Sequence, residues 1–226
     1  MAPIPSMTPL KAVTLTHVRY ARGDSIGHLL AWASLLPVMI GLGGFVSHFI
    51  FRRELQALFF GLGLILSEII NQYIKDFMEE ARPITCQALE MCDSHGWPSS
   101  HSQYMAFFSI YLTLLCILKF TFSDRWSKYF TILLPWPFAL VTIYSRVYLG
   151  YHSVAQVIAG TIVGLILGSV WFYIVQSFFV PYFPWIEGTA ICRYLCIKDS
   201  SHIPNVLKFE YDNCRNARRE EKARTD

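Results

Sequence analysis

Long apolar runs alternate with short polar stretches along most of this chain. Most of the runs approach the roughly 20 residues that an α-helix needs to cross the hydrocarbon core of a bilayer. One run contains Pro135 and Pro137, which predict a kink in its helix. The pattern predicts an all-α fold, a polytopic transmembrane helix bundle with about five spanning helices, at residues 28–51, 55–74, 104–122, 129–143 and 153–180.

The segments outside these runs divide the chain into three parts. We expect residues 1–27 to form a pre-membrane segment, residues 28–180 a single transmembrane domain, and residues 181–226 an interfacial segment followed by a cytosolic tail. The last residues, 215–226, are so rich in charge that we expect them to be disordered.

Composition supports the membrane class and narrows the partners. Only 15% of the residues are charged, against about 25% in an average soluble domain. The basic residues mostly flank the apolar runs and lack interleaved aromatic side chains, so we predict no nucleic-acid partner. The bilayer is the expected surroundings, and the sequence does not give the oligomeric state.

Three polar clusters interrupt the apolar pattern: KDFMEEARP at residues 75–83, PSSH at 98–101 and SRVYLGYH at 145–152. With five spans, all three clusters fall on the same face of the membrane. Polar groups at the ends of membrane helices are costly and usually functional. The sequence therefore predicts one polar site at one end of the bundle.

The residue types in the clusters suit a reaction at phosphorus. Lys75, Arg82 and Arg146 can hold phosphate oxygens, while of His101 and His152 one can attack phosphorus and the other can protonate the leaving oxygen. No set of His, Asp and Glu residues has the spacing of metal ligands, so we predict no metal and no cofactor.

The spacing of the basic residues predicts part of the site's geometry. Lys75 and Arg82 are seven residues apart, so a helix that continues to Pro83 would place both on one face. Glu68 shares that face. It would either pair with Lys75 or support the residues of the site without contacting the ligand itself; the sequence leaves this open.

The serines and histidines sit at predicted helix starts. Ser99 and Ser100 precede an apolar run and fit a helix N-cap, whose free N–H groups favour an anion. His101 would then lie in the first helical turn. Gln156 lies four residues after His152, where its amide oxygen could accept a hydrogen bond from the imidazole.

Orientation follows from lysine and arginine near the ends of the spans. Arg52, Arg53, Lys119, Arg125 and Lys128 share the face opposite the clusters, which predicts that this face is cytosolic. The polar site would then be lumenal or extracellular. Cys86 and Cys92 share a loop on the cluster face and could form a disulfide if that loop meets an oxidising compartment.

The three clusters resemble a known signature. Lys-x6-Arg-Pro, Pro-Ser-x-His and Ser-Arg-x5-His, which run from Lys75 to Gln156, are similar to the motifs of the phosphatidic acid phosphatase type 2 superfamily. The resemblance implies that the chain has the fold of this superfamily. It also implies a metal-independent hydrolase that works through a phosphohistidine. It makes His152 the nucleophile and His101 the general acid. It assigns phosphate binding to Lys75, Arg82, Arg146, Ser99 and Ser100.

Two positions depart from the superfamily pattern. Ser100 stands where glycine is usual, and Gln156 stands where aspartate is usual. An amide can accept a hydrogen bond from His152 but carries no charge. Either the site relies more on the phosphate's own charge, or Glu68 supplies the missing negative charge; the sequence leaves both open.

Further segments, GDSIGHLLAW, GWPSSHSQYM, SRVYLGYHSVAQV and IPNVLKFEY, resemble the dolichyl-diphosphatase branch of the superfamily. That resemblance implies hydrolysis of dolichyl diphosphate, a polyprenyl diphosphate lipid, to dolichyl phosphate and phosphate. The site would face the lumen of the endoplasmic reticulum, where the reaction recycles the lipid carrier of protein N-glycosylation. The alternatives are a broad-specificity phosphatase for phosphatidate or a sphingoid phosphate, and a non-enzymatic anion transporter.

Overall fold

A computed structural model describes residues 18–122 and 124–225 of the chain. This part of the chain is helical with short connections, and its only β-type pairing is an isolated bridge between Glu54 and Lys198. The elements in chain order are α1 Ser25–Ser34, α2 Leu36–Met39, a π-helix Ile40–Gly44, α3 Phe45–Ser47, a π-helix His48–Arg52, α4 Leu55–Met78, α5 Cys86–Leu89, α6 Ser100–Leu118, α7 Arg125–Leu133, α8 Pro135–Tyr148, α9 Val154–Ile174, a π-helix Val175–Phe179, a 3₁₀ turn Val180–Tyr182, α10 Phe183–Glu187, α11 Ala190–Leu195 and α12 Val206–Thr225.

Within the described residues, four helical stretches are long and apolar enough to cross a membrane. They are Leu55–Met78, Ser100–Leu118, Arg125–Tyr148 and Val154–Glu187. These stretches confirm the second to fifth predicted spans. The third stretch changes from α7 to α8 at Leu134, directly before Pro135, where the prolines predict a kink.

The first predicted span, residues 28–51, is helical but interrupted. Helix α1 ends at Ser34, and the chain continues through α2 and two π-helical turns rather than as one straight helix. Asp24 nevertheless accepts a hydrogen bond from Tyr148 at one end of the bundle, and Arg52 pairs with Glu210 at the other. Residues 25–52 therefore make a fifth pass between the two ends.

The closest helix pair is α6 with α9, and glycines make it possible. Gly160, Gly164 and Gly168 form one stripe along α9, and a Cβ atom at any of them would collide with α6. At Gly160 and Gly164 the obstacle is the backbone carbonyl oxygen of Ser99 or Gln103. Small residues at this spacing let membrane helices approach closely. The other side of α9 exposes apolar side chains, Ile158, Ile162, Ile166 and Val170, which suit contact with lipid.

A buried polar contact holds α4 against α6, close to the polar clusters. Gln103 donates to the backbone oxygen and the hydroxyl of Ser67, at 2.7 and 2.9 Å, and accepts from Asn71 at 2.7 Å. Asn71 lies one helical turn before Lys75. The contact therefore fixes Lys75 relative to the start of α6.

Ion pairs close the opposite end of the bundle. They bear on the prediction that the C-terminal tail is disordered. Lys198 lies between Glu54, at 3.4 Å, and Glu210, at 3.2 Å, and Glu210 also pairs with Arg52. Because Glu210 belongs to α12, these pairs anchor a helix that runs through residues 215–225. The prediction of a disordered tail is wrong: opposite charges four residues apart, such as Glu220 and Arg224, support a helix there.

We predict that Gly164→Ala destabilises the protein because the added methyl group meets the Gln103 carbonyl oxygen. The loss should be about 1 to 3 kcal/mol, as for other overpacked interiors. Gly44→Ala is the matched control, since nothing lies within 4 Å of a Cβ at Gly44. Thermal unfolding in detergent should show a lower midpoint for Gly164→Ala only; equal midpoints would contradict the close packing of α6 and α9.

Candidate active site

The three polar clusters meet at one end of the bundle. Lys75 lies in the last turns of α4, His101 in the first turn of α6 and Arg146 in the last turn of α8. His152 lies in the short connection between α8 and α9. The structure thus brings together the five residues on which the predicted chemistry depends, counting Arg82, which contacts His152.

Arg82 reaches the site by a different route from the predicted one. Helix α4 ends at Met78 because Glu79 adopts a left-handed conformation, with φ of 48°. The chain leaves the helix before Arg82, so the prediction that Lys75 and Arg82 share a helical face is wrong. The loop holds Arg82 instead: its Nε donates to Ser94, and its Nη1 donates to the Tyr151 carbonyl oxygen at 3.0 Å and lies 3.3 Å from Nε2 of His152.

Arg146 is buried and held by neutral groups. Its Nη1 donates to the Ser34 hydroxyl at 2.8 Å, and its guanidinium carbon lies 4.0 Å from the centre of the Tyr151 ring. Its Nε is buried without a hydrogen-bond partner among the described residues. One strong donor of Arg146 therefore lacks a partner within this part of the chain.

The remaining cation, Lys75, is also buried and donates to the Ser100 hydroxyl at 3.3 Å. The four ion pairs within the described residues involve none of Lys75, Arg82 and Arg146. Burying a cation without a counter-ion is unfavourable by several kcal/mol. The excess positive charge makes this end of the bundle a site for an anion.

His152 has one nitrogen held and the other facing the cations. Its Nδ1 lies 3.0 Å from the Gly96 carbonyl oxygen and 3.2 Å from Oε1 of Gln156. Both partners are acceptors, so Nδ1 carries the hydrogen and Nε2 keeps its lone pair. Burial, together with Arg82, Arg146 and Lys75, holds the pKa of His152 well below 6.5, although the hydrogen bond to Gln156 opposes this shift. His152 is therefore neutral near pH 7, the form that a nucleophile requires.

The start of α6 forms a second wall of the site. Of the two serines predicted at this helix start, Ser99 is the N-cap: its side chain accepts from the N–H of Ser102, and its own N–H donates to the Gln156 carbonyl oxygen at 3.1 Å. The N–H of Ser99 is thus already used. The N–H groups of Ser100 and His101, in the first turn, have no partner within their helix. The His101 ring interacts electrostatically with all three cations.

Several residues of the site carry no signal in the sequence. Gly96 is buried, and a Cβ atom there would overlap the Gln156 side chain. Ser34 belongs to an apolar run and reveals its contact with Arg146 only in the folded bundle. Glu80 is exposed, yet its side chain accepts a hydrogen bond from Gln156 Nε2 at 2.9 Å. Glu68 is exposed and accepts from Gln72; it makes no ion pair with Lys75 within the described residues.

A disulfide between Cys86 and Cys92 closes a small loop beside the site. The loop includes α5, and its buried residues Leu89 and Met91 pack with Tyr151. The covalent link therefore braces the segment that separates Arg82 from Gly96. It forms the pairing that the sequence left open.

Comparison with known families finds one whose model matches more than half of the chain. The family model described as the PAP2 superfamily matches residues 56–179. This chain belongs to the PAP2 superfamily. The matched range contains all three polar clusters and excludes α12. The protein is therefore a membrane-embedded member of a phosphatase family.

Curated relatives cover nearly the whole chain. A protein of Arabidopsis thaliana named lipid phosphate phosphatase gamma is 59% identical over 93% of this chain and 94% of its own length. Dolichyldiphosphatase 1 of Homo sapiens is 42% identical over 89% of this chain and 87% of its own length. Dolichyldiphosphatase of Saccharomyces cerevisiae is 32% identical over 87% of this chain and 84% of its own length. No solved structure matches the chain.

We predict that Gly96→Ala lowers phosphatase activity by about 10-fold or more while the protein still folds. The added methyl group would push the Gln156 side chain away from His152, and losses of this size follow when a supporting residue is displaced. Gly188→Ala is the control, because the nearest atom to its Cβ lies at an ordinary 3.4 Å. Equal specific activity of the two purified variants would contradict the contact.

Proposed function

We propose that this protein hydrolyses dolichyl diphosphate to dolichyl phosphate and inorganic phosphate through a phosphohistidine at His152. The observation that carries the proposal is the neutral His152, whose Nε2 faces three cations, Lys75 and Arg146 buried and Arg82 half-buried, none of which forms an ion pair among the described residues. An anionic phosphoryl group satisfies those cations and places phosphorus next to the lone pair of Nε2.

The first step transfers the terminal phosphoryl group to His152. Nε2 attacks the terminal phosphorus, a P–N bond forms, and the P–O bond to the lipid phosphate breaks. The bound diphosphate offsets the three cations, so that His101 can carry a proton in the complex, and His101 donates that proton to the leaving oxygen. Lys75, Arg82 and Arg146, with the N–H groups of the first turn of α6 and the Ser100 hydroxyl, hold the phosphoryl oxygens and offset their charge.

The second step restores the enzyme. A water molecule attacks the phosphoryl group, the P–N bond breaks, and His101 takes the proton that the water loses. Phosphate leaves, and the electron pair of the broken bond returns to Nε2 of His152. Ser99 acts in this scheme through the helix cap that presents the first turn, since its own N–H is bonded to Gln156.

The choice of substrate rests on two lines of support. The segments around the site resemble the dolichyl-diphosphatase branch, and relatives with that name extend over most of the chain. The 59% identity to a protein named lipid phosphate phosphatase gamma supports a second candidate, a lipid phosphate monoester. The same nucleophile would serve both, because only the group that leaves with the protonated oxygen differs.

We predict that the purified protein in detergent releases phosphate from dolichyl diphosphate with a kcat/KM at least about 10-fold above that for phosphatidate. The rate should persist in excess EDTA, because three cations already neutralise the phosphoryl group. The His152→Ala protein provides the background rate. A preference for phosphatidate would establish the second candidate, and a loss in EDTA that magnesium restores would contradict the metal-independent mechanism.

We further propose that the site faces the lumen of the endoplasmic reticulum, with α12 in the cytosol. The basic residues at the opposite end, together with a disulfide in the loop beside the site, support this orientation, because disulfides persist in oxidising compartments. Residues 28–180 would then form the phosphatase domain, and residues 181–226 an interfacial segment and cytosolic tail. The proposed pre-membrane segment, residues 1–27, lies mostly outside the described residues.

Glycosylation acceptor sites test this topology. In microsomes, an acceptor placed in the loop between Cys92 and Gly96 should be modified, because that loop would be lumenal. An acceptor placed after Arg224 should stay unmodified and serves as the control. The reverse pattern would overturn the orientation, and modification of both would contradict an odd number of crossings.

A further inference from the structure

The Gln156 side chain lies between His152 and a carboxylate. Its Oε1 is 3.2 Å from Nδ1 of His152, and its Nε2 donates to Oε1 of Glu80 at 2.9 Å. We propose that Glu80 is a positioning residue, which supplies negative charge to His152 through the amide of Gln156. The inference rests on the proposed role of His152 as nucleophile.

The contacts of Gln156 leave its amide only one orientation. The oxygen accepts from the Ser153 N–H at 3.2 Å as well as from His152. The nitrogen donates to the Ala81 carbonyl oxygen at 3.0 Å as well as to Glu80. A flipped amide would oppose donors to donors and acceptors to acceptors. The chain of hydrogen bonds therefore runs in one direction, from His152 through Gln156 to Glu80.

The backbone around Glu80 brings its carboxylate to this position. Glu79 adopts the left-handed conformation that ends α4 and turns the chain. The Glu80 carbonyl oxygen then accepts from the Gly96 N–H at 2.7 Å, and the carbonyl oxygen of Gly96 accepts from His152. The main chain of Glu80 is thus held independently of its side chain. A substitution at Glu80 can remove the charge and leave the loop in place.

The negative charge of Glu80 would stabilise the form of His152 that arises during the reaction. His152 becomes cationic as Nε2 bonds to phosphorus, next to Arg82 and two further cations that oppose the change. A neutral amide alone cannot offset that charge. A carboxylate on the far side of the amide polarises it and strengthens the hydrogen bond that Nδ1 donates. Because Glu80 is exposed and solvent screens its charge, the effect should be moderate.

Glu68, the other candidate for this charge, lies elsewhere. It is exposed on α4 and accepts from Gln72, and no hydrogen bond among the described residues joins it to Gln156 or His152. Glu80 is the carboxylate that the described contacts connect to the nucleophile. The pair formed by Gln156 and Glu80 thus replaces the single aspartate that is usual in the superfamily.

The test compares two single variants at Glu80 and Glu79, and two Gln156 backgrounds with and without the Glu80 change, all as full-length protein in detergent with dolichyl diphosphate and phosphatidate as substrates. Glu80→Gln keeps an oxygen that can accept from Gln156 and removes only the charge. We expect it to lower kcat about 10-fold with KM nearly unchanged, because the charge acts on the transition state. Glu79→Gln, at the neighbouring exposed carboxylate, is the control and should retain the wild-type kcat.

Double variants decide whether the effect passes through Gln156. In a Gln156→Ala background, adding Glu80→Gln should change kcat less than about twofold, since the connection is already broken. In a Gln156→Asp background, adding Glu80→Gln should also cause no loss, because a charge then adjoins Nδ1 directly.

A wild-type kcat for Glu80→Gln would overturn the inference while leaving the phosphatase assignment intact. An undiminished 10-fold loss in the Gln156→Ala background would show that Glu80 acts by another route and would also overturn it. A wild-type protein that releases no phosphate from either lipid would overturn the proposed function, and this inference with it.

Discussion

Positive charge without a buried counter-ion is the constraint on which this site depends. Lys75, Arg82 and Arg146 are drawn from two helices and a loop, and neutral groups hold each of them: Ser100, Ser94 with the Tyr151 carbonyl, and Ser34. Lys75 and Arg146 are buried, and each is unfavourable by several kcal/mol without a counter-ion. In the proposed mechanism a phosphoryl group relieves that cost. The same field keeps His152 neutral, so the proposal uses one arrangement of charge for both substrate binding and activation of the nucleophile.

Helix packing determines where the residues of the site lie relative to one another. The glycine stripe of α9 lets its backbone approach α6, and the Ser99 N–H at the start of α6 then bonds directly to the Gln156 carbonyl oxygen in the first turn of α9. His101, in the first turn of α6, and His152, just before the N-cap of α9, are thereby held close to two helix starts joined by a backbone hydrogen bond. Gly96 adds a second close approach, which leaves room for the Gln156 side chain next to His152. Rigid helix ends of this kind hold catalytic groups more precisely than free loops do.

The features that could be predicted from the sequence are those that periodicity and composition control. Four of the five spans, the gathering of the three polar clusters at one end and a serine cap at residues 99–100 all follow from local patterns. The path to Arg82 could not be predicted, because a left-handed residue at Glu79 ends α4 before Pro83 does. The helix in the tail could not be predicted, because it depends on ion pairs between Glu210 and two residues outside α12. Arg52 is distant in the sequence, and Lys198 lies before α12. The contact of Glu80 with Gln156 could not be predicted, since only the folded loop brings the two residues together.

The central claim is that His152 carries the phosphoryl group, and trapping that group tests it most directly. Wild-type protein mixed with dolichyl diphosphate labelled in its terminal phosphate and quenched in base should retain label on the polypeptide, and acid should release it, as expected of a phosphoramidate. The His152→Ala protein should retain none. Label of the same acid-labile, base-stable kind on the His152→Ala protein would contradict the account.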